Sequence, residues 1–277
     1  MTPASVDRIG RRFEALRAAG RKALVPFVTA GDPSLEATVP VLHALVAGGA
    51  DVLELGVAFS DPMADGPVIQ RSSERALARG AGLAWVLDAV RRFRDTDAHT
   101  PVVLMGYVNP VDIRGPRAFA RAAVAAGVDG ALLVDLPPEE AAEYRDAFDA
   151  EGLALVALAS PTTSDERLAT LCANARGYLY YVSLAGVTGA AVVDPVAVAA
   201  RLDHVRRQCP LPVLVGFGIK DAATAAAMAP HADGVVVGSA LVQALAGAGD
   251  PADAGARAAA FLAPLRTALD GASAPLR

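Results

Sequence analysis

The sequence predicts an α/β fold in which eight strand–helix units close into a single (β/α)8, or TIM, barrel with an extra N-terminal helix. Three observations carry that expectation. Short, nearly continuous apolar runs occur eight times, at 24–29, 51–56, 101–107, 130–136, 153–159, 177–183, 212–218 and 234–239. Alanine-rich segments with helical spacing separate them. Several of those segments end alike, in Gly48-Gly49-Ala50-Asp51, Gly127-Val128-Asp129-Gly130 and Ala232-Asp233-Gly234, each just before a strand.

Runs that are apolar on both faces suit parallel strands covered on both sides. The helical segments carry start and stop signals. Residues 34–47 open with Ser34 as a cap and Glu36 in the first turn. Residues 116–126 open with Pro116 and stop at Gly127, and 164–173 open with Ser164-Asp165-Glu166. The repeated glycine-to-aspartate ending reads as a helix C-cap followed by a short turn into the next strand. A helix at 5–18 precedes the first strand, and the tail frays from Gly271. No G-x-G-x-x-G follows the first strand, which counts against an open doubly wound sheet. No linker or composition break divides the chain, so one domain spanning 1–277 is expected.

Composition excludes several classes of function. The chain has 277 residues, 53% of them hydrophobic, which is enough for a large core. Its net charge is −5 with no block of like charge, a poor match to a nucleic-acid backbone. The longest apolar stretch, 118–134, is interrupted by Arg121, Gly127, Asp129 and Gly130, so no membrane span is expected. Residues 1–16 are charged throughout and resemble no signal peptide, which points to the cytoplasm. The two cysteines, Cys172 and Cys209, lack metal-ligand spacing and read as reduced core thiols.

In such a barrel, chemistry sits at the C-terminal ends of the strands. Glu54 stands in the middle of the second apolar run. By the two-residue period of a strand, Leu53 and Leu55 share one face and Glu54 the other. If the leucines pack on helices, Glu54 points into the barrel. A carboxyl buried there without a cation escapes its desolvation cost through a raised pKa, which suits proton transfer near neutral pH. The next loop, 60–67, carries Asp61 and Asp65. Placed before Pro62 and Gly66, they read equally well as turn residues or as site carboxylates. On the sixth strand Tyr178 and Tyr180 share a face and form an aromatic wall. Gly216-Phe217-Gly218 ends the seventh strand, and Gly238-Ser239 ends the eighth and opens a helix. With Gly186 to Gly189, these glycine-rich turns make a cradle of backbone N–H groups for a phosphate-bearing ligand.

These residues carry a family resemblance. The stretch 53–67, Leu-Glu-Leu-Gly-Val-Ala-Phe-Ser-Asp-Pro-Met-Ala-Asp-Gly-Pro, resembles the signature of the tryptophan synthase alpha chains. Residues 26–33, 135–140 and 186–189 are similar to the family's first, fourth and sixth strand ends. The resemblance implies retro-aldol cleavage of indole-3-glycerol phosphate to indole and glyceraldehyde 3-phosphate. It makes Glu54 the acid that protonates indole C3, and Asp65 the carboxylate that holds the indole N–H. Tyr180 stands beside the substrate as an aid to proton transfer. Phe27, Met105, Leu132 and Phe217 line the indole slot. Gly189, Gly218, Gly238 and Ser239 hold the phosphate, and Thr188 bonds to Asp65 when the lid closes.

The same resemblance implies no metal and no cofactor in this chain, and a pyridoxal-phosphate β subunit as partner in an α2β2 assembly. The loops at 58–67 and 184–193 would dock there. Ala58 stands where the family commonly has proline, Leu184 where it often has a more polar residue, and 112–115 is less typical. These departures bear on the partner and not on the reaction. Three rivals remain: a stand-alone lyase releasing free indole, another phosphate-sugar barrel, and a regulatory subunit without activity. The second usually relies on a metal cluster or a strand-end lysine, whereas Lys22 and Lys220 stand elsewhere. The third predicts loss of Glu54 and Asp65, which are present. None of His43, His99, His204 and His231 falls at a strand end.

Overall fold

The computed structural model describes residues 7–182, 195–216 and 218–272. Eight parallel strands form a closed barrel in chain order. They are β1 (Ala23–Thr29), β2 (Leu53–Gly56), β3 (Val102–Gly106), β4 (Gly130–Leu133), β5 (Ala154–Ala159), β6 (Leu179–Val182), β7 (Val213–Gly216) and β8 (Gly234–Val237). Around them run α1 (Arg8–Ala18), α2 (Thr38–Ala47), α3 (Pro67–Ala78), α4 (Leu83–Arg94), α5 (Val108–Asp112) and α6 (Pro116–Ala126). The circle continues with α7 (Ala141–Glu151), α8 (Asp165–Asn174), α9 (Pro195–Gln208), α10 (Ala222–Met228), α11 (Ser239–Leu245) and α12 (Pro251–Gly271). The predicted barrel and its leading helix are both present.

Strand parity sorts the side chains into two cores. Leu53, Leu55, Leu104, Leu133, Tyr181 and Val215 face outward and pack against the helices. Val25, Val52, Val103, Leu132, Val156, Tyr178, Tyr180 and Leu214 fill the barrel interior. Helix α1 closes the N-terminal end, where Ile9, Phe13 and Leu16 join that interior cluster. The Phe13 ring lies 5.9 Å from the Tyr178 ring.

The aspartates that follow the helix ends explain the repeated sequence device. Each accepts a hydrogen bond from a backbone N–H in the first two residues of the preceding strand and is clamped by arginine. Asp51 accepts from Leu24 at 2.9 Å and pairs with Arg266 at 3.0 Å. Asp129 accepts from Val102 at 2.8 Å and pairs with Arg8 and Arg94, both at 2.8 Å. Asp233 accepts from Val213 at 2.8 Å and pairs with Arg206 at 2.7 Å. Lys22 is buried at the same rim and donates to the Ala232 carbonyl at 2.8 Å. These partners satisfy charges that would otherwise be costly to bury.

Boundaries differ from the sequence reading at informative places. Helix α2 begins at Thr38, because Ser34 makes a local turn: its hydroxyl accepts from Ala37 N and its carbonyl from the Thr38 hydroxyl. The third, fourth and eighth strands stop short of the predicted C-terminal ends, so residues 134–136 belong to the mouth and not to the ladder, whereas β2 ends at Gly56 as predicted. Helix α6 matches its prediction, with Gly127 at φ +92° as the left-handed cap. Among the described residues no helix is long and apolar enough to cross a membrane.

Candidate active site

Glu54 sits at the centre of β2, beside Phe27 of β1 and Val103 of β3 in register. Its neighbours Leu53 and Leu55 turn to the helices, and Glu54 turns inward with no exposed surface. The Tyr178 hydroxyl donates to its Oε1 at 2.6 Å. Its Oε2 is buried and has no hydrogen-bond partner among the described residues. Burial raises the Glu54 pKa to about 7, while the Tyr178 bond pulls it down. The carboxyl therefore exchanges its proton near neutral pH and has one oxygen available.

Tyr180 lies on the same inward face, and its pKa is pushed well above the phenol range by burial and by the Glu54 charge. It remains a neutral hydroxyl. Gly216 makes room for it, since a Cβ there would lie 2.0 Å from the Tyr180 oxygen. Sequence reasoning placed Tyr178 and Tyr180 together on an aromatic wall, and the resemblance gave a part in proton transfer to Tyr180 alone. The structure separates them: Tyr178 is the hydrogen-bond partner of Glu54. Their common parity placed both inside, but the reach of Tyr178 across the barrel leaves no mark in the sequence.

The loop between β2 and α3 resolves its two aspartates into different settings. Asp61 is exposed and its carbonyl accepts from Met63 N in a tight turn. Asp65 is half-buried and accepts from the Tyr107 hydroxyl at 3.1 Å. Burial raises the Asp65 pKa to about 6, against the lowering effect of Tyr107. The Tyr107 oxygen also accepts from Ala64 N at 3.1 Å, and its ring stacks on Phe59 with centroids 5.1 Å apart. Gln70 braces the loop by donating to the Asp65 carbonyl at 2.8 Å. Tyr107 is thus a further site residue that sequence reading missed. Its place just after β3 was the available signal.

The apolar walls are built from neighbouring strands. Phe27 lies between two glycines: a Cβ at Gly56 would meet its ring at 2.6 Å, and one at Gly238 would lie 3.5 Å from it. Met105 is half-buried and pairs in register with Leu132, which is fully buried. At the rim Gly218 is exposed with φ +81°. Gly238 is the N-cap of α11 and Ser239 its first residue. Thr188, Gly189, Phe217 and Leu184 lie outside the described residues. Ala58 is buried and packs with Ala76 and Ala81, so it supports the loop from beneath. None of the four histidines belongs to the mouth; His43, His204 and His231 bond to Thr96, Asp165 and Asp203 among the helices. Among the described residues no cluster of three or more His, Cys, Asp or Glu could hold a metal.

Two carboxyls with pKa values raised by burial, Glu54 to about 7 on β2 and Asp65 to about 6 on the loop that follows it, stand together in this (β/α)8 barrel, a combination that favours a functional site. The model of the family described as tryptophan synthase alpha chain matches residues 13–269. A tryptophan synthase alpha chain from Xanthomonas oryzae pv. oryzae (strain PXO99A) is 71% identical over 96% of this chain and 99% of its own. One from Xanthomonas campestris pv. campestris (strain B100) is 68% identical over 95% and 97%. The crystal structure of the alpha subunit from Legionella pneumophila str. Paris superposes with a TM-score of 0.90 at 47% identity, covering 96% of this chain and 99% of that one. A tryptophan synthase structure from M. tuberculosis, in its aminoacrylate-bound form, gives 0.83 at 36% identity over 95% and 100%. The chain belongs to the tryptophan synthase alpha chain family.

Proposed function

We propose that the chain cleaves indole-3-glycerol phosphate to indole and glyceraldehyde 3-phosphate, with Glu54 as the acid. The observation that carries this reading is the Glu54 carboxyl, fully buried with a pKa of about 7 and one oxygen without a partner among the described residues. Glu54 gives its proton to indole C3, which leaves a cationic indolenine. The Asp65 carboxylate accepts the ring N–H and stabilises that charge. The bond from C3 to the glycerol carbon then breaks, and its electron pair restores the neutral indole ring. The hydroxyl on that carbon loses its proton as the aldehyde carbonyl forms. Glu54, now a carboxylate, takes this proton and returns to its starting state. Tyr180 stands beside it as a neutral donor to the glycerol chain. Phe27, Met105, Leu132 and Phe217 enclose the indole, and Gly189, Gly218, Gly238 and Ser239 hold the phosphate through backbone N–H groups and the serine hydroxyl.

The partner is a pyridoxal-phosphate β subunit, to which indole passes in an α2β2 assembly in the cytoplasm; this chain itself works without a cofactor. Two large apolar side chains support docking at the mouth: Met63 in the loop after β2 is 81% exposed and Ile113 after α5 is 84% exposed. When the lid closes, Asp65 exchanges Tyr107 for Thr188. The test is indole release from indole-3-glycerol phosphate by the purified chain, with and without a tryptophan synthase β subunit. Indole release that rises severalfold on adding β is expected. No indole in either case refutes the reaction, and equal rates refute the partnership in favour of a stand-alone lyase.

A further inference from the structure

The two cysteines meet on the outside of the barrel, away from its mouth. Cys172 lies on α8, and Cys209 follows the last residue of α9. Both are free, with 9% and 7% of their surface exposed. Their sulfurs are 2.7 Å apart, the Cys172 thiol donating to the Cys209 sulfur. A disulfide bond is about 2.05 Å long, so less than about 1 Å of sulfur movement separates the contact from a bond. We propose that Cys172 and Cys209 form a redox-sensitive pair that closes into a disulfide under peroxide and staples α8 to the end of α9.

The surroundings give the two thiols different roles. The hydrogen bond from Cys172 and the backbone N–H of Leu211 lower the Cys209 pKa and favour its thiolate. The same thiol–thiol bond, with burial, raises that of Cys172. The Cys209 thiolate attacks a peroxide oxygen, forming a sulfenic acid and releasing hydroxide. The Cys172 sulfur then attacks the sulfenic sulfur, and the hydroxyl leaves as water with the Cys172 proton. In total two thiols give up two protons and two electrons, and one hydrogen peroxide becomes two waters. A dithiol reductant reverses the step, and a reducing environment holds the pair open.

The link would add to the buried apolar residues and the exposed polar bonds that join the two helices. Asp165 of α8 bonds to His204, Arg201 and Gln208 of α9, at 2.9, 3.3 and 3.2 Å. Exposed pairs of this kind contribute little. The covalent ring would run from residue 172 to 209 and enclose β6 with Tyr178 and Tyr180. Such a ring stabilises chiefly by restricting the unfolded chain.

The test treats the purified full chain with hydrogen peroxide, then denatures it, alkylates free thiols and maps the peptides. A linked Cys172–Cys209 peptide pair that dithiothreitol separates is expected. The thermal midpoint should rise by roughly 5–10 °C and fall back on reduction. Cys209→Ser should leave Cys172 open to alkylation and abolish the rise. Alkylation of both cysteines after peroxide, or oxygen adducts on either one without the linked pair, would overturn the proposal. So would an unchanged midpoint in protein shown to be cross-linked.

Discussion

Replacing Glu54 with glutamine separates its proposed role as acid from its cost to the fold. The folded carboxyl titrates at about 7 against 4.5 when solvated, because burial disfavours its charge. Between those values the folded state binds more protons than the unfolded chain. Stability therefore falls as pH rises from about 4.5, and levels off above about 7. The shift corresponds to about 3 kcal/mol once the carboxyl is ionised in both states. Glutamine keeps the shape, can accept the Tyr178 hydrogen bond and never ionises. Urea unfolding across pH 5 to 9 should show Glu54→Gln gaining about 3 kcal/mol on the native protein toward the alkaline end. The same variant should lose indole release by about two to four orders of magnitude, the usual range for removing a general acid. Parallel stability curves would refute the dry, raised-pKa carboxyl. Half-normal cleavage would refute its role as acid.

Two further perturbations probe its neighbours. In kcat/KM against pH, Asp65 must be ionised and Glu54 protonated, so the native profile should be a narrow bell with limbs near 6 and 7. Tyr178→Phe removes the bond that holds the Glu54 pKa down and should move the alkaline limb to higher pH, whereas an unmoved limb would make Tyr178 mere packing. Gly218→Ala meets no described atom beyond its chain neighbours within 4 Å, but forces a side chain onto φ +81° at the proposed phosphate cradle. It should weaken glyceraldehyde 3-phosphate binding by calorimetry roughly tenfold, a loss of about 1.4 kcal/mol, and leave indole binding unchanged; equal binding of both ligands would displace the cradle.

The barrel was legible because its pattern is local. Each strand is a short apolar run, and several helices carry their own start or stop residues, such as Ser164 before α8 and Gly127 after α6. Glu54 was legible for the same reason: one carboxyl between two leucines breaks a rule that parity makes strict. Its partner was not. Tyr178, just before β6, reaches Glu54 from far along the chain, and the bond depends on side-chain length and depth across the barrel. The Tyr107–Asp65 contact is hidden in the same way, since it joins two loops. Asp61 and Asp65 look alike in sequence because both precede turn formers. Only burial by Tyr107 and the packed loop tells them apart. The start of α2 was misplaced because Ser34 offers the same side-chain oxygen to a local turn as to a helix cap.

Buried carboxylates occur at both ends of this barrel, and a raised pKa does not by itself mark the functional one. Asp51 and Asp129 at the N-terminal rim are also raised by burial. What differs is how completely they are satisfied. Asp129 receives two arginines and a backbone N–H. Asp51 receives Arg266 and a backbone N–H. Their oxygens are taken up in holding helices to strands, which is the work of the rim opposite the mouth. Glu54 has one tyrosine and no cation, and among the described residues its Oε2 is the one buried carboxylate oxygen without a partner. Leaving that oxygen unpaired costs stability that an additional hydrogen-bond donor in the interior would recover. That contrast between clamped rim carboxylates and an open Glu54 is what supports the proposal of Glu54 as the proton donor.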